Sequence, residues 1–573
     1  MGLNLCVPSA APAFVLKAEP AELLCFNGDI HTLEADAPRA SVLACRGQEL
    51  LYAGFDRELA ARMLSSEAWQ LDLRGLTVIP GMIDGHAHAA SEGLRLAGLD
   101  LFGKSREEIL DLVRREAGLR PRGQWILGHG WNQEEWARRD WPGKEELDKA
   151  APFHPTALDR MDKHSVWVNS RALETAGIHE ASLSPPGGEI MRDALGRVRG
   201  VLVGAAARLL RRFIPPVSTE ERRAAILRAQ AEFVGYGLTS VMDAACFPPD
   251  LELLHQTMDS GELRLRIRAM LPVFERHEET CRSAGALKAQ GLYGERLSIS
   301  GIKIMADGSL GSRSAWLLGD YADRPGHRGE HFYTDEQMRS LMRLAWEYDL
   351  AVAVHAIGDA AARQTIQAMR TALGPEPGDR RWRIEHVQVI SREDMETLRA
   401  LGVIPSIQTV GLISDLGMAE ERLGAELVRR AYAWREFLAD GGLVVNGSDC
   451  PVQTADPFVG MQAAVTRARL DGHPACGWYP EHKLSREEAL KSYTLWAAWS
   501  EFGEARKGSL RAGKLADFAV LSQNPLSCPE DKIKDTRVEL TVLGGAIFGP
   551  ERLCADEDKA FFPARADASK KSL

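Results

Sequence analysis

Nine cysteines are scattered over 573 residues, an odd number, and no CxxC pair occurs among them. Such scattering reads as reduced thiols in a cytoplasmic protein, not as a disulfide framework. No segment approaches the roughly 20 consecutive apolar residues needed to cross a bilayer. No positive charge precedes Lys17, and Pro8 and Pro12 break the apolar residues before it, unlike a cleaved signal peptide. Basic residues are not in excess: 70 Lys and Arg stand against 80 Asp and Glu, a net charge of −10. No basic field therefore favours nucleic acid or an anionic membrane, and a small-molecule partner is expected.

Apolar residues make up 45% of the chain and charged residues 26%, enough for a sizeable core. The ends, 1–20 and 553–573, read as loose tails. Between 21 and 76 the texture is strands and turns. Segments 23–26 and 30–33 flank Asn27-Gly28-Asp29, a hairpin signal, and 41–45 and 50–53 flank Arg46-Gly47-Gln48. Similar texture returns at 517–521, 540–543 and 546–548. Neither piece can bury a sheet face alone, so 21–76 and 505–552 are expected to form one composite β-sandwich.

The pattern between them differs. Ser218…Glu221, Thr334…Gln337 and Ser391…Asp394 each open a helix, and a short apolar strand follows each helix. Eight apolar strands lie near 77–84, 238–244, 265–272, 298–305, 350–355, 382–387, 403–407 and 443–448. Repeated helix-then-strand units predict a (β/α)8 TIM barrel over 77–504. An open doubly wound sheet would need a phosphate-cradling glycine turn after its first strand, and none is present. The long gap after strand one predicts an inserted subdomain at about 89–217, capping the active site.

The chain ends of these strands carry the chemistry. His86 and His88 are two apart on strand one, so they share a face. Lys303 interrupts the apolar strand four, an expensive place for an ammonium. His355 ends strand five, His386 strand six and Asp449 strand eight. Each has a bland alternative: a core histidine, a surface pair with Glu385, a turn or cap aspartate. Five such accidents at one barrel rim are less probable than one divalent metal site of Zn²⁺ type.

That order of residues resembles the amidohydrolase superfamily. The stretches Lys303-Ile304-Met305-Ala306-Asp307-Gly308-Ser309, Val354-His355-Ala356-Ile357-Gly358-Asp359, Arg383-Ile384-Glu385-His386 and Gly447-Ser448-Asp449-Cys450-Pro451 are similar to its YtcJ-like, N-substituted formamide deformylase branch (amidohydrolase family 3). So are Gly128-His129-Gly130-Trp131-Asn132 and Gly513-Lys514-Leu515-Ala516-Asp517. Two positions depart from the branch: Lys163 replaces a usual glycine, and Cys450 a frequent aromatic residue.

The resemblance implies one or two divalent ions held by His86, His88, His355, His386 and Asp449. Lys303 would carry a CO₂-derived carbamate that bridges two ions. Asp449 would hold the nucleophilic water and shuttle its proton to the leaving nitrogen. The implied activity is hydrolysis of a C–N bond in an amide, N-substituted formamide or cyclic amide through a metal-activated hydroxide. Ester or phosphoester hydrolysis on the same centre stays open, as does a non-catalytic regulator that keeps the fold. Arg313, His164, Trp131 and Asp307 are secondary candidates for substrate contact, Arg313 having an ion pair with Asp307 as its alternative. A homodimer is compatible with everything in the sequence.

Overall fold

The computed structural model describes residues 14–17, 22–133, 136–161, 165–185, 188–291 and 294–549. Eight parallel strands form a (β/α)8 barrel: β1 (Met82–Ala87), β2 (Leu238–Asp243), β3 (Arg266–Pro272), β4 (Leu297–Met305), β5 (Ala351–Ala356), β6 (Arg383–His386), β7 (Ile404–Ile407) and β8 (Val445–Asn446). Neighbours in this series pair in order. The circle closes through Asp449 N–H on His86 O (2.7 Å) and His88 N–H on Cys450 O (3.0 Å). Every residue of β1, β2, β6 and β7 is buried, which explains their near-continuous apolar texture: parallel strands are covered on both faces. The helices between strands start at the expected caps, with Thr334 and Gln337 in a reciprocal capping box and Ser391 accepting from Asp394 N–H.

The first expected strand, 77–84, is in fact two. Thr77–Pro80 joins a different sheet, and only Met82–Ala87 enters the barrel. Pro80 and Gly81 make the break. A Cβ on Gly81 would meet the Thr239 side chain at 2.4 Å, so only glycine lets the chain pass this close to β2.

Strands from both ends of the sequence make a β-sandwich. Its seven-stranded sheet runs Phe14–Lys17, Ala546–Gly549, Val538–Leu543, Phe518–Leu521, Thr77–Pro80, Asp29–His31, Arg39–Ala40. Its four-stranded sheet runs Glu49–Gly54, Val42–Arg46, Glu22–Phe26, Trp69–Asp72. Leu23, Cys25, Leu43 and Leu71 of the smaller sheet share one core with Ile30, Val78, Phe518, Val520 and Val542 of the larger. The expected Asn27-Gly28 hairpin does not form. Asn27, at φ 59°, turns the chain from one sheet into the other, because both flanking segments bury better against different partners. A buried pair ties the sandwich to the barrel: Arg266 of β3 donates twice to Asp517, at 2.6 and 3.0 Å.

Residues 90–226 form a compact unit of their own. It has a six-stranded sheet, Leu99–Asp100, Ile126–Trp131, Thr156–Arg160, Ser165–Val168, Val198–Gly204, Gly188–Arg192. Trp131, Trp136 and Trp167 fill its larger core. Among the described residues no helix is long and apolar enough to cross a membrane.

Candidate metal centre

The C-terminal ends of β1, β4, β5, β6 and β8 place His86, His88, Lys303, His355, His386 and Asp449 at one rim of the barrel. Two glycines permit the approach of the first and last strands. A Cβ on Gly85 would lie 2.4 Å from Val445 Cγ1, and one on Gly447 would lie 2.4 Å from His86 N. His386 (φ 74°) and Asp449 (φ 58°) both hold left-handed backbone conformations, which non-glycine residues adopt at a cost. That twist carries His386 out of the plain alternation of β6, in which Arg383 and Glu385 already face one way.

Asp449 Oδ1 lies 3.2 Å from His88 Nε2 and 3.4 Å from His86 Nε2. Ligand atoms of His86, His386 and Asp449 all fall within 4.8 Å of one another. Lys303 Nζ is 3.5 Å from His86 Nε2. The rings of His355 and His386 stand 4.5 Å apart between centroids. His355 Nε2 is turned to the Gly308 carbonyl at 3.0 Å, so its Nδ1 is the nitrogen left for an ion. Imidazoles with one carboxylate are a donor set suited to a borderline divalent cation, and the cluster fits such an ion.

A layer of charge beneath the rim orients these groups. Glu385 Oε2 lies 2.5 Å from His86 Nδ1, and Arg383 Nε donates to Glu385 Oε1 at 2.6 Å. Arg383 also bonds Ser406 Oγ (2.8 Å) and the Gly85 carbonyl. Asp84 accepts from His86 N–H, Ser448 N–H and Ser448 Oγ–H. Burial pushes Asp84 up to about 6, with those hydrogen bonds opposing it. Burial also raises Glu385 and Asp449, yet both end well below the usual carboxylate range. Arg383 and His86 overcome burial at Glu385; His86, with His88 and His386, overcomes it at Asp449. Burial lowers Lys303, and the nearby carboxylates of Glu385 and Asp449 only partly restore it.

The profile of the amidohydrolase family matches residues 70–548. The chain belongs to the amidohydrolase family. This amidohydrolase is 32% identical to Protein LONG AFTER FAR-RED 3 of Arabidopsis thaliana over 88% of each chain. It is 30% identical to YtcJ of Bacillus subtilis (strain 168), over 91% of this chain and 98% of that one. It is 26% identical to the N-substituted formamide deformylase of Arthrobacter pascens, over 92% and 98%. Among solved structures it is similar to an uncharacterized metal-dependent hydrolase from Pyrococcus furiosus, at TM-score 0.70 and 29% identity, covering 88% of this chain and 100% of that one. The protein is thus a hydrolase of the YtcJ-like branch.

Asp307, Arg313 and Trp131, three secondary candidates of the amidohydrolase, each have structural partners of their own. Asp307 is fully buried and accepts from the N–H groups of Trp316, Ile357 and Gly358, so it braces the loops after β4 and β5, and its Oδ1 lies 3.3 Å from His355 Nε2. Arg313 pairs with Asp323 at 2.5 Å, not with Asp307; its left-handed φ of 58° turns it that way. Trp131 is fully buried, donates to Leu158 O and packs on Trp136, Trp141 and Trp167, which makes it core. His164 lies outside the described residues. Sequence reasoning passed over Asp84, Arg383 and Glu385 as working parts. Two opposite charges two apart in an apolar strand, Arg383 and Glu385, were the available signal.

One hollow opens beside this rim. Phe274, His277, Met305, Phe332 and Tyr333 line a space of about 560 Å³. Met305 follows Lys303 by two residues on β4, so it lies on the same strand face one step nearer the mouth.

Proposed function

We propose that the protein hydrolyses a C–N bond of an amide, N-substituted formamide or cyclic amide with a divalent metal bound at the barrel rim. The reading is carried by one observation: Asp449 Oδ1 sits within 3.2–3.4 Å of the Nε2 atoms of two histidines, deep in a site that Glu385 backs from below. His86, His88 and Asp449 would hold a first ion, and His355 with His386 a second. A bound divalent ion supplies Lewis-acid chemistry, polarising a carbonyl and acidifying water.

The chain's own groups would do the rest. His86 and His88 hold Asp449 as a carboxylate, ready to accept a proton. Asp449 takes that proton from the attacking water as its oxygen adds to the carbonyl carbon. The same proton then goes to the nitrogen, which leaves as an amine when the C–N bond breaks. Lys303, depressed by burial, has its neutral amine available, the form that adds CO₂ to give a carbamate. The carbamate would replace a buried cation with an anion beside His86. The hollow along Phe274, Met305 and Phe332, with Glu275 and Gln337 as polar parts of its wall, offers a bed for the group attached to the amide.

A screen of N-formyl and N-acyl amines with Zn²⁺-loaded protein, read by amine release, tests this. Turnover of amides above matched esters is expected. Activity confined to esters or phosphoesters would replace the reading with hydrolysis of those bonds on the same centre.

A further inference from the structure

Gln408 follows directly after β7 and is 6% exposed. Both ends of its amide, Oε1 and Nε2, are buried and have no hydrogen-bond partner. Buried polar groups are nearly always paired, and an amide missing both partners is an exception that calls for an occupant. Its φ of −127° keeps the side-chain direction of the strand, and ψ 84° departs from the extended range only toward the helix Thr409–Asp415 that follows. The alternation of side chains therefore runs on through it.

That alternation fixes its direction. Ser406 Oγ meets Arg383 in the inner charged layer. Thr409 faces outward, bonded to Asn446 and to the Gly460 carbonyl. Gln408 thus shares the inward face of Ser406, one step nearer the mouth. Register places Ser406 beside Glu385, and Ile407 beside Asn446. Gln408 consequently stands on the rung of the barrel between Val387, the residue after His386, and Gly447, where a Cβ would meet His86 N at 2.4 Å.

We infer that Gln408 is a specificity residue that reads the edge of the substrate amide, with Nε2–H donating to the carbonyl oxygen and Oε1 accepting the N–H. This rests on the reading of the site as an amide hydrolase. The paired donor and acceptor match an amide whose C=O and N–H lie on the same side. Cyclic amides and imides present that edge, and so do primary amides. An open-chain secondary amide in its ordinary trans form presents the two groups on opposite sides and satisfies one end only. A carbonyl oxygen has two lone pairs, so one remains for the ion site. A lactone lacks the N–H altogether and leaves Oε1 buried and unpaired, the arrangement by which sites reject such analogues most strongly.

The test compares δ-valerolactam and glutarimide with δ-valerolactone in the metal-loaded wild type and the Gln408→Leu variant. Gln408→Leu is expected to lower kcat/KM for the two cyclic amides by at least about 100-fold relative to the lactone, with the metal content unchanged. In an Asp449→Asn background, which separates binding from turnover, calorimetry should show cyclic-amide affinity falling at least about tenfold on adding Gln408→Leu. Equal losses for amide and lactone would overturn the inference. So would unchanged lactam affinity, or failure of the wild-type protein to bind either cyclic amide. A wild type that binds lactam through Gln408 yet cleaves only esters would sink the amide-hydrolase reading and leave the recognition standing.

Discussion

Glu385 Oε2 and His86 Nδ1 meet at 2.5 Å, each side chain 1% exposed, across 299 residues of sequence. The carboxylate fixes which ring nitrogen faces it and leaves His86 Nε2 turned to Asp449 and Lys303. Such outer partners of ligating histidines govern ring orientation and basicity. Glu385→Gln keeps an acceptor for Nδ1–H but removes the charge, and it strips Arg383 of its counter-ion. Metal affinity should fall about 10–100-fold, measured by competition with a chelator. Unchanged affinity would show that the pair serves folding alone.

Asp449→Asn retains a ligand-sized side chain without a proton-accepting carboxylate. If Asp449 carries the proton, turnover should drop by about 10²–10⁴-fold. Bound metal, measured by elemental analysis, should persist on the four histidines. An Asn variant with wild-type kcat would remove Asp449 from the proton path.

Lys303→Ala separates one ion from two. A bridging carbamate at Lys303 requires that its loss remove one metal equivalent. Two equivalents retained by the Ala variant would show that nothing at position 303 bridges them.

Stability should carry a mark from Asp456, the buried cap of the helix Pro457–Thr466, whose Oδ1 accepts from Phe458 N–H at 2.9 Å. Burial pushes its carboxyl up to about 7, against hydrogen bonds from Phe458 and Val459 that pull it down. An unfolded aspartate titrates near 4. Between those values the native state holds a proton that the unfolded chain has released. Stability from this group is therefore full below about pH 4, declines as pH rises, and levels off above 7. Asp456→Asn keeps the cap and does not titrate. Its melting temperature should match wild type most closely near pH 4 and exceed it at pH 8, by at most about 4 kcal/mol in stability. A gap of the same size at both pH values would assign the difference to packing.

The barrel was legible because parallel strands covered on both faces leave short apolar runs, and each helix between them announces itself with a cap such as Thr334 or Ser391. The strand-end positions of His86, His88, His355 and His386 could be read for the same reason. Local signals misled where long-range pairing decides. Val78 and Ile83 look like one strand in sequence, yet Gly81 hands the chain from sandwich to barrel. Asn27-Gly28 promises a hairpin, yet its turn serves two sheets. Asp307 suggested a substrate contact, and only the three N–H groups gathered from the loops after β4 and β5 reveal it as a brace. Gln408 had no sequence signature, since a polar residue after a strand is ordinary; its isolation shows only in three dimensions.

The pairing of Thr77–Pro80 with Phe518–Leu521 has a consequence during synthesis. When the ribosome has made the whole barrel, the strand that leads into it still has one open edge. The sandwich seam, and with it the anchor of Asp517 on Arg266, is sealed only once Asp517 and Phe518–Leu521 have emerged. A nascent chain stopped before residue 518 would expose an apolar border for chaperones to hold, and the arrival of Phe518–Leu521 would be the event that hides it.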